Sequence, residues 1–282
     1  MHFDRYLGPL TLPMRLLTFL LLACLPLVRL AGQDTASVKP YVLGEVHRLH
    51  SAVLGEERVL NIYLPEGYRA GDTARYPVLY LLDGSADEDF IHISGLVQYL
   101  TFPWVKGMPP AIVVGIANKD RRRDFTFPTT VAKDKQDYPT TGGSAAFVRF
   151  LGEELQPYVA AHFRTSGRRA LLGQSLGGLL AVEVLLTRPA LFTDYIIVSP
   201  SLWWDRGSLL KRARAAGAGA RNIYLAVGNE EPEMVRAVKA LAAKLKAAPR
   251  TGEKLQFDYY PKENHATILH RAAYEGLQVL RR

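Results

Sequence analysis

Gly173-Gln174-Ser175-Leu176-Gly177-Gly178 places a serine among glycines where the apolar run ending at Leu172 gives way to a helical pattern from Leu176 to Thr187. A Gly-x-Ser-x-Gly turn between strand and helix is a nucleophile elbow: small residues allow a strained turn that lifts the serine hydroxyl above the sheet. The helix N-terminus beneath it favours the negative charge that develops on a substrate oxygen. The expected chemistry is attack by Ser175 on a carbonyl, with a covalent acyl-enzyme.

A serine needs a base, and seven histidines compete for that role. His265 lies in the loop Glu263-Asn264-His265-Ala266 between the last strand and the last helix. The chain order serine, acid, histidine puts the base there. His270 falls inside the following helix, and the others precede the serine. The acid, which would fix the imidazole tautomer, is expected after a strand between Ser175 and His265. Glu230 and Glu231 in Gly228-Asn229-Glu230-Glu231 both fit; adjacent residues point in different directions, so only one can serve. Asp205 is a third candidate, after the preceding strand.

An oxyanion hole takes one backbone N–H from the residue after the nucleophile and one from the loop after an early strand. Leu176 supplies the first, and Ser85 in Leu82-Asp83-Gly84-Ser85 the second, with Asp83 read as a structural turn residue. Substrate contacts are expected from Arg121, Arg122 and Arg123, beside Phe125 and Phe127, and from an aromatic wall of Trp203 and Trp204. Guanidinium groups suit anions and stack on rings, so these residues predict anionic or catechol-bearing aromatic esters rather than long aliphatic ones. The competing reading is solvated arginines and core tryptophans.

The elements that must position these groups can be read from hydrophobic period. Glu45 to Leu54 and Arg58 to Leu64 alternate like half-buried antiparallel strands, with Gly55-Glu56-Glu57 as the turn. Pro77–Leu82 and Ala111–Ile116 are continuous apolar runs, as in parallel strands buried on both faces. Ser144 to His162 reads as a helix, Arg169–Leu172, Tyr195–Val198, Ile223–Val227 and Leu255–Tyr260 as strands, and Met234 to Ala247 and Thr267 to Arg281 as helices. Alternating strand and helix argue an α/β sheet whose working loops lie at the carboxyl ends of the strands.

At 282 residues with 48% hydrophobic and 22% charged residues, the composition is that of a globular chain with one large domain. The net charge of +8 comes mostly from dispersed basic residues, which argues against a nucleic-acid partner. Arg15 and the apolar run Leu16 to Val28 look like a signal peptide over residues 1–32, with Met14 as an alternative start, and are too short for a comfortable membrane span. Leu30-Ala31-Gly32 offers a cleavage point, so a mature domain of residues 33–282, exported to the periplasm or secreted, is expected. Leu21-Leu22-Ala23-Cys24 also resembles a lipobox, which would anchor the protein through Cys24, the single cysteine.

Tyr80-Leu81-Leu82-Asp83-Gly84, the serine elbow, Ser199-Pro200-Ser201-Leu202-Trp203-Trp204 and Glu263-Asn264-His265-Ala266 together resemble the putative-esterase family, which includes siderophore (enterochelin-type) esterases and esterase D relatives. The resemblance runs from about Gly44 to the end. It implies the α/β-hydrolase fold, a mostly parallel central sheet covered by helices on both faces, and hydrolysis of a small-molecule ester without metal or cofactor. It carries the nucleophile and base onto Ser175 and His265, and its Gly-x-x-Glu loop aligns Glu231 with the acid, although some relatives work with a serine–histidine dyad. Relatives carry Arg-x-Arg-Asp-x-Thr-Pro where this chain has Arg121 to Pro128 with an inserted Phe127. Two other functions are compatible with parts of the pattern: an acyltransferase using the same acyl-enzyme, and a binding protein on an inactive scaffold. Retention of serine, histidine and elbow glycines argues against the latter.

Overall fold

The computed structural model describes residues 37–212, 222–247 and 254–281. Contacts divide the chain into Met1–Val42 and Leu43–Arg282. In the first unit, residues 37–42 are exposed and have no regular secondary structure. The expectations resting on Met14, Arg15, Cys24 and the cleavage before Gln33 lie outside the described residues. No helix among the described residues is long and apolar enough to cross a membrane.

The second unit is built on an eight-stranded sheet: β1 (Glu45–Ser51), β2 (Glu56–Tyr63), β3 (Tyr76–Leu81), β4 (Ile112–Ile116), β5 (Thr165–Gln174), β6 (Asp194–Val198), β7 (Asn222–Gly228) and β8 (Lys254–Tyr260). Its spatial order is β1-β2-β4-β3-β5-β6-β7-β8. β1, β2 and β4 pair antiparallel, and every pairing from β4 to β8 is parallel. All residues of β4, β6 and β7 are buried, because their near-continuous apolar runs meet helices on both faces.

One face is covered by α1 (Phe90–Thr101), which the hydrophobic period did not bring out, and α9 (Ile268–Leu277). Phe90, Ile93, Val97 and Leu100 pack there with Ile268, Ala272 and Leu277. The other face carries α4 (Ser144–Phe150), α5 (Gln156–His162), α6 (Leu176–Thr187) and α8 (Pro232–Ala247). The expected single helix from Ser144 to His162 is interrupted by a π turn, Leu151–Leu155. Pro157, the second residue after its end, has no N–H for the i−4 helical bond. The short helices α2 (Arg121–Phe125), α3 (Ala132–Asp137) and α7 (Trp204–Arg212) lie in the loops that follow β4 and β6.

The hairpin turn occupies residues 52–55, earlier than the expected Gly55-Glu56-Glu57. Glu56 belongs to β2 and pairs with Ser51, because its carboxylate is drawn inward. It binds Arg58 and Arg123, and Arg58, 1% exposed, also meets Asp124 at 2.7 Å. Burial alone would raise the Glu56 carboxyl, but hydrogen bonds from Arg123, Arg58 and Lys119 hold it at about 2. This charge network fastens the loop after β4 to the antiparallel edge of the sheet.

Candidate active site

The serine sits where β5 turns into α6, with φ 59° and ψ −117°. A non-glycine residue in the left-handed region is strained, and the neighbouring glycines make the turn possible. A Cβ on Gly173 would lie 2.5 Å from the Gly177 carbonyl, and one on Gly178 2.9 Å from Pro200 Cα. The Ser175 N–H is spent on the Val198 carbonyl at 3.1 Å. The Leu176 N–H opens α6 and has no intrahelical acceptor, as an oxyanion donor requires. Ser201 Oγ, from the loop after β6, stands 3.4 Å from Ser175 Oγ.

His265 faces the same cleft, a space of about 720 Å³ between the loops after β5, β6, β7 and β8. Its Nδ1–H donates to Glu230 Oε2 at 2.7 Å, which leaves Nε2 as the unprotonated nitrogen of the neutral ring. The Glu230 side chain is 3% exposed. Its other oxygen accepts from Ser199 Oγ–H and from the Gly228 N–H. Burial pushes this carboxyl up, but the hydrogen bonds from His265, Ser199 and Gly228 outweigh that and bring it below the usual carboxylate value. The group therefore stays ionised at neutral pH beside the imidazole.

The carboxylate that reaches His265 is thus Glu230 and not Glu231. Glu231 is exposed, and its carbonyl accepts from Val235 N–H at the start of α8. The backbone there turns into a helix, so the two adjacent side chains diverge. Asp205 is far from this role: it ties Thr129 and Thr130 to the kinked start of α7, accepting the Thr130 N–H at 2.8 Å.

The three arginines separate. Arg121 lines the second hollow at Ser175, but it is gripped by Asp83, with Nε–H to Oδ1 at 2.6 Å and Nη2–H to Oδ2 at 3.0 Å. Arg122 lies over the Tyr138 ring and donates to the Asp137 carbonyl. Arg123 turns back to Glu56 and Asp124. Successive helical positions point about 100° apart, so three consecutive arginines cannot share a site. Trp203 is 39% exposed and lines the cleft, whereas Trp204 is fully buried and donates its Nε1–H to the Phe127 carbonyl at 2.9 Å. The inserted Phe127 is therefore a core residue that anchors Trp204. Ser85 is held beside β4, its Oγ accepting the Asn118 N–H, and Asp83 is the residue of that turn that borders the serine. A further hollow of about 730 Å³, beside the π turn and Arg188 to Leu191, contains neither serine nor histidine.

Comparison with known proteins decides the lineage of this arrangement. Residues 51–274 match the family described as Putative esterase. The chain belongs to this esterase family. It is 30% identical over 237 residues to the ferri-bacillibactin esterase BesA of Bacillus subtilis, covering 76% of this chain and 82% of that one. Among solved structures, an IroE-like serine hydrolase from Shewanella oneidensis superposes with a TM-score of 0.75 at 32% identity, over 84% of this chain and 80% of that one. The BES protein of Bacillus cereus gives 0.74 at 29% identity, over 88% and 100%. The fold is that of the α/β serine hydrolases, and the protein is a carboxylic-ester hydrolase.

In this esterase one positioning contact escaped the motif. The Gln174 side chain donates Nε2–H to the His265 carbonyl at 2.6 Å, bolting the histidine loop to the residue before the nucleophile. Gln174→Ala should lower kcat roughly tenfold, the effect of about 1.4 kcal/mol, with KM little changed. A raised KM at constant kcat would instead make Gln174 a substrate contact. Linear sequence offers no cue for this pairing, since any residue is allowed at that motif position.

Proposed function

We propose that the protein hydrolyses siderophore-type esters through an acyl-enzyme on Ser175, with His265 as base and Glu230 as the acid that orients it. The observation that carries the reading is the Glu230–His265 pair standing in one cleft with an elbow serine. As Ser175 Oγ attacks the ester carbonyl, His265 Nε2 takes its proton, and the oxyanion accepts hydrogen bonds from the Leu176 and Ser85 N–H groups. The imidazolium then protonates the departing alcohol oxygen. Water, deprotonated by the same nitrogen, attacks the acyl-enzyme and releases the acid with Ser175 restored. The siderophore assignment is supported by the relative named as a ferri-bacillibactin esterase, and Trp203 gives the cleft an aromatic wall. The arginine loop does not add an anion site to it, because Arg121 is already paired and Arg122 and Arg123 lie elsewhere.

The test is incubation of purified protein with bacillibactin, with and without iron, and mass spectrometry of the ring-opened products, alongside fluorophosphonate labelling. Linear products and a single adduct on Ser175 are expected. Labelling without ring opening would retain the hydrolase and discard the siderophore. We further propose export, supported by the charged and apolar leader from Arg15 to Val28. The intact mass of protein recovered outside the cytoplasm should correspond to a start near Gln33. A full-length mass confined to the cytosol would overturn that, and lipid on Cys24 would select an anchored form.

A further inference from the structure

The loop after β6 carries two serines with different partners. Ser199, at φ 42°, gives its hydroxyl to Glu230. Ser201 is 2% exposed, and among the described residues its Oγ meets no polar atom except Ser175 Oγ, at 3.4 Å. That separation is longer than an ordinary O–H···O hydrogen bond. A buried hydroxyl, with one donor and two acceptor sites, thus stands almost unused beside the nucleophile. The backbone fixes it there: the Ser201 N–H donates to the Ser175 carbonyl at 3.0 Å, and the Ser201 carbonyl accepts the Trp204 N–H at 3.1 Å. Ser201 and His265 line the same cleft, whereas Asp83, in the turn that leads to the Ser85 N–H, lines the second hollow at Ser175.

We propose that Ser201 orients the water that deacylates the enzyme, and so favours hydrolysis over transfer of the acyl group to an alcohol. The inference rests on the acyl-enzyme reading and adds a residue to its second step. The attacking water has two O–H groups. One gives its proton to His265 Nε2 as the water oxygen bonds to the acyl carbon. The other needs a fixed acceptor if a water lone pair is to stay aligned with that carbon. Ser201 Oγ, in the same cleft as His265 and beside the Oγ that carries the acyl group, supplies it. Two other polar side chains of the cleft are already engaged, Glu230 by His265, Ser199 and Gly228, and Asn264 Oδ1 by the Ala266 and Thr267 N–H groups. The tetrahedral carbon then expels Ser175 Oγ, which takes the proton back from Nε2, and the carboxylic acid leaves. An alcohol has a single O–H, spends it on Nε2 and gains no hydrogen bond from Ser201. Its carbon substituent meets the buried hydroxyl instead.

The experiment measures how the acyl group divides between water and methanol. Wild type, Ser201→Ala, Ser201→Cys and Glu231→Gln receive p-nitrophenyl butyrate at one fixed methanol concentration. The ratio of methyl butyrate to butyrate is read by gas chromatography, and thermal melts check folding. That ratio is set after the acyl-enzyme forms, so it does not depend on which step limits turnover. Ser201→Ala should raise it about tenfold, the effect of one hydrogen bond made in the transition state. Ser201→Cys keeps the size of the side chain but offers a weak acceptor, and should raise the ratio as well. Glu231→Gln, at an exposed position in the same cleft, should leave it unchanged. If Ser201→Ala does not fold, Ser201→Cys decides alone. The proposal is overturned if the ratio does not move in the folded Ser201 variants, or if Glu231→Gln raises it as much. A rise in Ser201→Ala without one in Ser201→Cys also overturns it, because added room rather than a lost acceptor would then admit the alcohol. A wild type that releases no p-nitrophenol would instead strike the esterase reading itself.

Discussion

Ser175→Ala and His265→Ala should each lower kcat by roughly three orders of magnitude or more, and the double variant should be hardly worse than either alone. The two side chains act in one step: without the serine there is no acyl acceptor, and without the imidazole the hydroxyl cannot shed its proton as it attacks. What activity remains comes from the oxyanion donors and from binding. Neither change should weaken the fold much. Ser175 makes one long hydroxyl contact, at 3.4 Å, and the His265 side chain is 43% exposed. Steady-state kinetics on a p-nitrophenyl ester, with thermal melts as a control, decide the matter. A Ser175→Ala protein with more than about a tenth of wild-type kcat and an unchanged melt would remove Ser175 from the nucleophile's role.

Glu230→Gln should lower kcat by about two to four orders of magnitude, and Glu231→Gln should change it little. The reason lies in the two donors that already hold one Glu230 oxygen, the Ser199 hydroxyl and the Gly228 N–H. A glutamine must offer its carbonyl oxygen to those donors, which turns its NH2 group towards His265 Nδ1. The ring then accepts at Nδ1 and carries its proton on Nε2, so it can no longer take the proton of Ser175. Glu230→Ala would lack this tautomer trap and should retain more activity than Glu230→Gln, provided the loop holds. Equal kcat in Glu230→Gln and wild type would mean a serine–histidine dyad. A larger loss in Glu231→Gln would mean that the loop rearranges when substrate binds.

The antiparallel start, the buried parallel strands, the elbow and the histidine loop were legible because each is a local pattern. Alternation of period two marks β1, whereas β2, expected to be half-buried, lies between β1 and β4 and is buried at every position from Leu60 to Tyr63; unbroken apolar runs mark β4, β6 and β7. Helix α1 was less legible, since its residues had no strong flanking signal: Asp89 before it makes no capping bond. The π turn inside the Ser144–His162 stretch also hides in a continuous helical pattern.

By itself the sequence determined which residues could be nucleophile and base and which sheet would carry them, since strand period, glycine turns and chain order are properties of neighbouring residues. Only the tertiary structure decided the partners of the long charged and aromatic side chains. Glu230 meets Ser199 from 31 positions away, Arg121 meets Asp83 from 38, and Trp204 reaches Phe127 from 77. A side chain of several rotatable bonds can serve any of several neighbours. It takes the one whose approach lowers its desolvation cost, and that neighbour is set by how distant segments pack rather than by what lies beside it in the chain.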